Sequence, residues 1–334
     1  MPTVAAGLVR DVLNFAVSEG ADRDTLIAAV ELDGAPLENQ DARLPAAKFI
    51  GVLRAASKML GKPDFSLNYG KASRFDDFSI VGLISYGANT LGEGFEQMNR
   101  YAKLVLDTGV AKGRQRFQLQ EDGDCVWVID QRPNPNMTPE LTETVFARFI
   151  GDFGRYFEGE RPYRAFHVTH EKPTHWQAYE DLFQVPVTFG AKWNALKAHK
   201  SWLELTTGPK NRYAFGVLSD HADALMRELE ASETLRGQVE KTLLPMLHKG
   251  DVTMEKVAET MGTSRPTLYR KLKAEGINFE TLLDDLRRTM AVSYLAGGKA
   301  SVNEVAYLVG FSETSSFSRA FKRWTGKAPS EWRG

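Results

Sequence analysis

Two stretches in the last third of the chain are written in one frame. Residues 256–276, KVAETMGTSRPTLYRKLKAEG, and 304–326, EVAYLVGFSETSSFSRAFKRWTG, both contain Val-Ala-x-x-[Met/Val]-Gly, with Gly262 and Gly310 standing 48 residues apart. A polar turn and a second apolar-periodic segment follow each glycine. Its core positions are Leu268 and Leu272 in the first copy, Phe317 and Phe321 in the second, spaced i, i+4 as one helix face requires. One extra residue in the second turn brings Arg270 onto Arg319 and Lys273 onto Lys322. Both segments end near a glycine, Gly276 and Gly326, as a left-handed cap prefers. Each copy is therefore helix, tight turn, helix, over about 253–275 and 302–325. Ala258 and Ala306 allow the paired helices close approach, and Ser301-x-x-Glu304 predicts a capping box at the start of the second copy.

Between the copies, Phe279, Leu282, Leu283, Leu286, Met290 and Tyr294 fall on one stripe, so a single helix joins them. About 17 residues at 1.5 Å each span roughly 25 Å. A helix of that length holds the two motifs near one DNA turn apart, about 34 Å, so that one monomer reads two successive major-groove segments. The faces left outward carry Ser264, Arg265, Thr267, Tyr269, Arg270 and Lys273 in one copy and Thr314, Ser315, Ser316, Ser318, Arg319 and Lys322 in the other. Hydroxyls suit phosphates and base edges, and arginine pairs bidentately with guanine. Helix pairs with basic outer faces also occur in ordinary bundles; two matched copies on a joining helix favour double-stranded DNA. Charge agrees: residues 235–334 carry 16 Lys and Arg against 11 Asp and Glu, whereas 1–234 carry 26 against 32.

The preceding residues read differently. Helical periodicity runs through PTVAAGLVRDVLNFAVSEG, DRDTLIAAVEL and PAAKFIGVLRAASKML, the last with Pro45 in its first turn and Gly61 as its stop. Two helical stretches follow, broken around Asn89–Thr90. QRFQLQEDGDCVWVIDQ alternates about an Asp122–Gly123 turn and predicts a hairpin. Residues 138–158 are helical, YRAFHVTHE a strand, THWQAYEDLF a short helix, and strand-like pieces reach about 206. TGPKNRYAFGVLSD reads as a junction, after which 221–250 is continuous helix and no strand signal returns. The boundaries are thus an α+β domain at 1–206, a linker region at 207–234 and an all-α domain at 235–334. With 43% hydrophobic and 25% charged residues and no apolar run near 18, the chain reads as soluble and non-membrane. The N-terminus lacks a basic secretory n-region, and one cysteine, Cys125, fits a reducing cytoplasm.

Residues 250–333 closely resemble the C-terminal DNA-binding domain of AraC-type bacterial transcription regulators. VAYLVGFSETSSFSRAFKRWTGKAPSEWR, VAETMGTSRPTLYRKLKAEG, and Arg287 and Ala291 in the joining helix carry the likeness. It implies that Arg265, Tyr269, Arg270, Thr314, Ser315 and Arg319 occupy the positions that meet DNA. Pro266 departs from the usual pattern, pre-forming the first turn but removing a polar contact; Glu313 puts a negative charge beside the DNA. FDDFSIVGLISYGANTLGEGFEQMNRYAKLV resembles the helix-rich N-terminal domain of the ornithine-utilisation and virulence-regulator subgroup. That likeness implies an effector-sensing, dimerising domain. The whole chain reads as a cytoplasmic bacterial regulator that works with RNA polymerase, as an activator or as a repressor. The fold class is then an α+β sensing domain followed by an all-α domain with two helix-turn-helix motifs and a linker helix.

The aromatics Phe78, Tyr86, Tyr101, Trp127 and Tyr156 are candidates to line an effector pocket, against the plainer reading as core. His167 and His170 on a strand point to opposite faces, so no metal site is expected. Cys125 in DCVWVID reads as packing. No GxxxxGK[ST] loop is present, and Asp76–Asp77 and Glu93/Glu96 read as a turn and solvated helix faces, so neither a cofactor nor an enzyme is expected. The alternative to an effector-modulated regulator is a ligand-independent DNA-binding or architectural protein whose N-terminal domain serves dimerisation or partner contact alone.

Overall fold

The computed structural model describes residues 2–111, 113–154, 162–206, 212–250, 252–296 and 300–332. The chain divides into two compact units, Met1–Met226 and Arg227–Gly334. No helix among the described residues is long and apolar enough to cross a membrane.

The first unit is α+β. Helix Ala6–Ser18 buries Val9, Val12, Leu13 and Ala16 on one stripe. The residues before it depart from the helical expectation: Thr3–Ala5 (β1) pairs antiparallel with Arg43–Pro45 (β2), Val4 opposite Leu44. Arg43 secures this pair, its Nη2 donating to the Thr3 hydroxyl at 2.8 Å and to the Lys103 carbonyl at 3.0 Å. Pro45 therefore ends a strand and stands just before helix Ala46–Leu60 instead of in its first turn. Its fixed φ suits that junction, and it has no N–H to leave unpaired. Gly61 stops the helix at φ 65°.

A further helix, Phe65–Ala72, crosses Pro139–Gly154 at backbone contact. A Cβ on Gly70 would stand 2.3 Å from the Thr144 carbonyl oxygen, and one on Gly151 2.2 Å from that of Lys71. The stretch expected as two helices is three: Phe75–Phe78, Ile80–Tyr86 and Leu91–Val105. The extra break falls at Ser79, which turns extended so that its hydroxyl accepts from the Val81 N–H at 3.1 Å.

Five strands form the sheet: β3 (Phe117–Asp122), β4 (Cys125–Asp130), β5 (Tyr163–His167), β6 (Val187–Thr188) and β7 (Asn194–His199). Their order is β3-β4-β7-β5-β6, antiparallel except for β5–β6. The β3–β4 loop is Gly123–Asp124, one residue later than expected, because Gly123 supplies a positive φ of 60° at the first loop position. Val126, Val128, Phe166 and Leu196 are buried, and the Phe146 ring of helix Pro139–Gly154 lies 5.0 Å from that of Phe166. That helix and the sheet form the centre of the unit's core. Within 207–234, expected as a linker region, helix Arg212–Glu233 begins and the division between the units falls. Its Asp223 accepts from Arg100 at 2.9 Å and from the Tyr101 hydroxyl at 2.7 Å.

The second unit is all-α among its described residues. The continuous helix expected over 221–250 breaks at Thr234, which caps Leu235–Leu243 by accepting from Gly237 N at 3.0 Å. A 3-10 segment, Leu244–Lys249, follows around Pro245. The two motifs are Met254–Thr260 with Arg265–Ala274, and Val302–Leu308 with Thr314–Thr325, joined by Phe279–Ala296. Each motif has its own core. Val257, Leu268 and Leu272 pack on Phe279, Leu282 and Leu283; Val305, Phe317 and Phe321 pack on Ala291 and Leu295. Met290 packs against both cores.

Candidate functional site

The second helices of the two motifs start at equivalent positions. Ser264 is the N-cap of Arg265–Ala274 and Glu313 that of Thr314–Thr325, which is the one-residue offset expected from the repeat. Ser264 accepts from Thr267 N at 3.4 Å, whereas Glu313 makes no capping bond. The first helix of the second motif carries the expected capping box, Ser301 accepting from Glu304 N at 3.2 Å and Glu304 accepting from Ser301 N at 2.6 Å.

Leu268 and Leu272, like Phe317 and Phe321, are fully buried, so at 100° per residue the opposite face projects outward. That face carries Pro266, Tyr269, Arg270 and Lys273 in one motif and Ser315, Ser318, Arg319 and Lys322 in the other. Tyr269 is 51% exposed. The side chains of Tyr269, Arg270, Lys273, Ser315, Ser318 and Lys322 make no hydrogen bond or ion pair with other described residues.

The remaining sequence candidates are engaged. Arg265 pairs with Glu255 of its own motif at 2.5 Å. The Glu255 carboxyl lies below its usual range chiefly through its own backbone N–H, with Arg265 adding to the effect. Thr267 shares a 2.9 Å hydroxyl contact with Ser264. The Thr314 hydroxyl donates to Asn303, and Ser316 accepts from Arg319 at 3.2 Å. Asp284 on the joining helix accepts from Arg323 at 3.0 Å and from the Trp324 indole at 3.2 Å, fixing the second motif to that helix. Arg287 lies part-buried with its guanidinium 5.1 Å from the Phe311 ring, and burial lowers its pKa.

The effector candidates are not brought together. A cavity in the first unit lies among Leu91–Val105, Pro139–Gly154 and the start of β3, and of the four candidate aromatics among the described residues only Tyr86 lines it. Phe78 is buried beneath the Arg148 guanidinium, 4.9 Å from its ring. Tyr101 points its hydroxyl at Asp223, and burial followed by that bond pushes its pKa up to about 12. Trp127 lies against His167 with ring centroids 4.5 Å apart. Tyr156 lies outside the described residues.

The cavity contains about 640 Å³ of atom-free space counting its mouth, and it is narrow. Phe75, Phe95, Phe117 and Phe149 furnish much of its wall, with Arg116, Arg148 and Asp152 among them. Arg148 is 7% exposed, and burial, with the nearby Arg148 charge, lowers the pKa of Arg116. The sequence reading missed both arginines. A signal was present for one: Leu141, Val145, Arg148 and Asp152 follow helical spacing, which sets a charge into an apolar stripe.

The histidines differ from the alternating-strand reading, because β5 ends at His167. His170 and His175 converge instead on Tyr179 and Glu143: Tyr179 donates to Glu143 at 2.6 Å, and His175 meets the same carboxylate at 2.8 Å. His170 lies 3.0 Å from the Tyr179 hydroxyl. Among the described residues no three His, Cys, Asp or Glu are placed to hold a metal ion.

Comparison with known proteins finds a match in each of two segments of the chain. Residues 20–207 match the arabinose-binding domain of AraC transcription regulator, N-term, and 257–334 match a helix-turn-helix domain. The chain is 26% identical over 332 residues to an ornithine utilization regulator of Pseudomonas aeruginosa, covering 96% of this chain and 94% of that protein. It is 26% identical over 331 residues to the HTH-type transcriptional regulator VirS of Mycobacterium tuberculosis, covering 94% and 91%. It is 30% identical over 296 residues to the TCP pilus virulence regulatory protein of Vibrio cholerae, covering 82% and 96%. These relatives are regulators and not enzymes. The chain belongs to the AraC family of transcription regulators, with a helix-turn-helix DNA-binding region behind an N-terminal domain of the arabinose-binding type.

Proposed function

We propose that each monomer reads two successive major-groove segments of double-stranded DNA and that a small molecule in the N-terminal domain modulates this reading. One observation carries the first half: two equivalently built helices present the same outward face from a single joining helix whose Met290 belongs to both cores. That helix has 18 residues, about 27 Å, a span compatible with neighbouring major grooves on one side of the duplex. In this reading Arg270 and Lys273, then Arg319 and Lys322, meet base edges and phosphates. Ser264, Arg265, Thr267, Thr314, Ser315, Ser316, Ser318 and Tyr269 complete the two surfaces.

Residues 1–206 serve as the sensing and dimerising domain, and 235–334 as the DNA-binding domain. The same reading makes the protein a homodimeric activator that works with RNA polymerase in the bacterial cytoplasm; family membership supports it. An operator obtained by in vitro selection tests the DNA half. Arg319→Ala and Arg270→Ala should each weaken specific binding by about 1–3 kcal/mol and relax base preference in different halves of the footprint. Relaxation in the same half by both would contradict two separate readers. For the sensing half, metabolites are screened by thermal shift on the full chain and the hits tested for altered operator affinity. Hits that leave that affinity unchanged would favour a ligand-independent DNA binder.

A further inference from the structure

The cavity of the first unit has a polar side that the protein does not satisfy. Arg148 donates through Nε to the Ser73 hydroxyl at 2.9 Å, while its buried Nη2 has no hydrogen-bond partner. Arg116 leaves its buried Nε unpartnered; the nearest carboxylate oxygen, on Asp130, stands 3.9 Å away. The side chain of Arg116 is 10% exposed. Other polar groups at the cavity are committed: Ser85 donates to the Val81 carbonyl at 2.7 Å, and Asp152 accepts from Phe75 N at 3.3 Å. Buried donors without acceptors are costly, and both arginines line this cavity, where an acceptor brought by a ligand would relieve that cost.

The apolar side is aromatic. The Phe149 ring lies 5.3 Å from both Phe95 and Phe117 in edge contacts, and all three line the cavity. A flat ring entering the cavity would meet these phenyls in the offset or edge geometry that aromatics prefer. A pentose fits poorly, because its several hydroxyls would meet phenyl faces and spent polar groups.

We propose that this cavity binds a compact aromatic carboxylate, its ring among Phe95, Phe117 and Phe149 and its carboxylate accepting from Arg116 and Arg148. This rests on the sensing role assigned to the N-terminal domain and names the chemical class of its effector. Charge-assisted bonds to guanidinium are the strong ones, and a carboxylate offers both orphan donors an acceptor.

The test uses the full-length protein and calorimetric titration with 3-phenylpropionate, 3-phenylpropan-1-ol, hexanoate and L-arabinose. The acid should bind at least about tenfold more tightly than its matched alcohol, the ratio expected of a charge-assisted bond. Arg148→Met and Arg116→Met should each erase most of that ratio in protein that still melts cooperatively. If a variant fails to fold, the acid-to-alcohol ratio in the wild type still decides. Equal affinity for acid and alcohol, or binding of L-arabinose without the acid, would overturn the carboxylate assignment and leave the sensing role standing. Hexanoate binding as tightly as the aromatic acid would overturn the aromatic part. Preferential binding of the acid with no change in operator affinity would uphold the site and retire the sensing role.

Discussion

Gly262 and Gly310 occupy the same place in the two motifs, yet the structure asks different things of them. Both take a positive φ, 65° and 84°. Around Gly262 an added Cβ would meet nothing within 4 Å, whereas at Gly310 it would stand 2.3 Å from the Leu247 carbonyl oxygen. Gly262→Ala therefore meets only the left-handed penalty, about 1–2 kcal/mol, while Gly310→Ala adds an overpacking cost of about 1–3 kcal/mol. Urea denaturation of the two variants should rank Gly310→Ala clearly lower, and equal midpoints would contradict the close approach. The sequence marks both glycines as turn residues; only packing separates them. The same limit explains the effector aromatics. Phe78, Tyr86, Tyr101 and Trp127 are equally large and apolar in the sequence, but which face each presents depends on neighbours distant in the chain. Arg116 was illegible for that reason, since an arginine before a strand reads as surface.

At the level of elements, the helices of the second unit were the most legible, because caps, glycine stops and i, i+4 pairs act within a few residues. The capping box at Ser301 and Glu304 is the clearest case. Ser301→Ala should cost about 1 kcal/mol of stability, and loss of helix Val302–Leu308 should be visible as faster amide exchange there. Unchanged exchange would show that the cap contributes nothing. The β1–β2 pair was not legible: three residues are too few to show a period of two, and the partner strand lies 40 positions away. The break at Ser79 was likewise hidden, since it depends on a serine turning extended within an otherwise helical pattern. The hairpin was legible but its loop was not, because Asp122 still pairs with Cys125 and leaves Gly123–Asp124 as the two loop residues.

For the whole DNA-binding unit, the shared packing of Met290 means that the two motifs turn together. Operator halves should then have one permitted separation. Inserting about 5 base pairs, half a helical turn, between them puts the second groove on the far side of the duplex. Affinity should fall to that of one motif alone, with a footprint half as long in nuclease protection; an undiminished footprint would show that the joining helix bends. The Arg265–Glu255 pair has a consequence for electrolyte dependence. On the proposed reading, an Arg265 that moves to a phosphate leaves the Glu255 carboxylate bare near the DNA backbone, where its charge offsets one of those that displace cations condensed on the duplex. In Glu255→Gln that offset is gone, and the plot of log affinity against log salt should steepen by up to about 0.9, with tighter binding at low salt. With Arg265 as the proposed DNA contact, this single carboxylate exchanges affinity for tolerance of changing ionic strength.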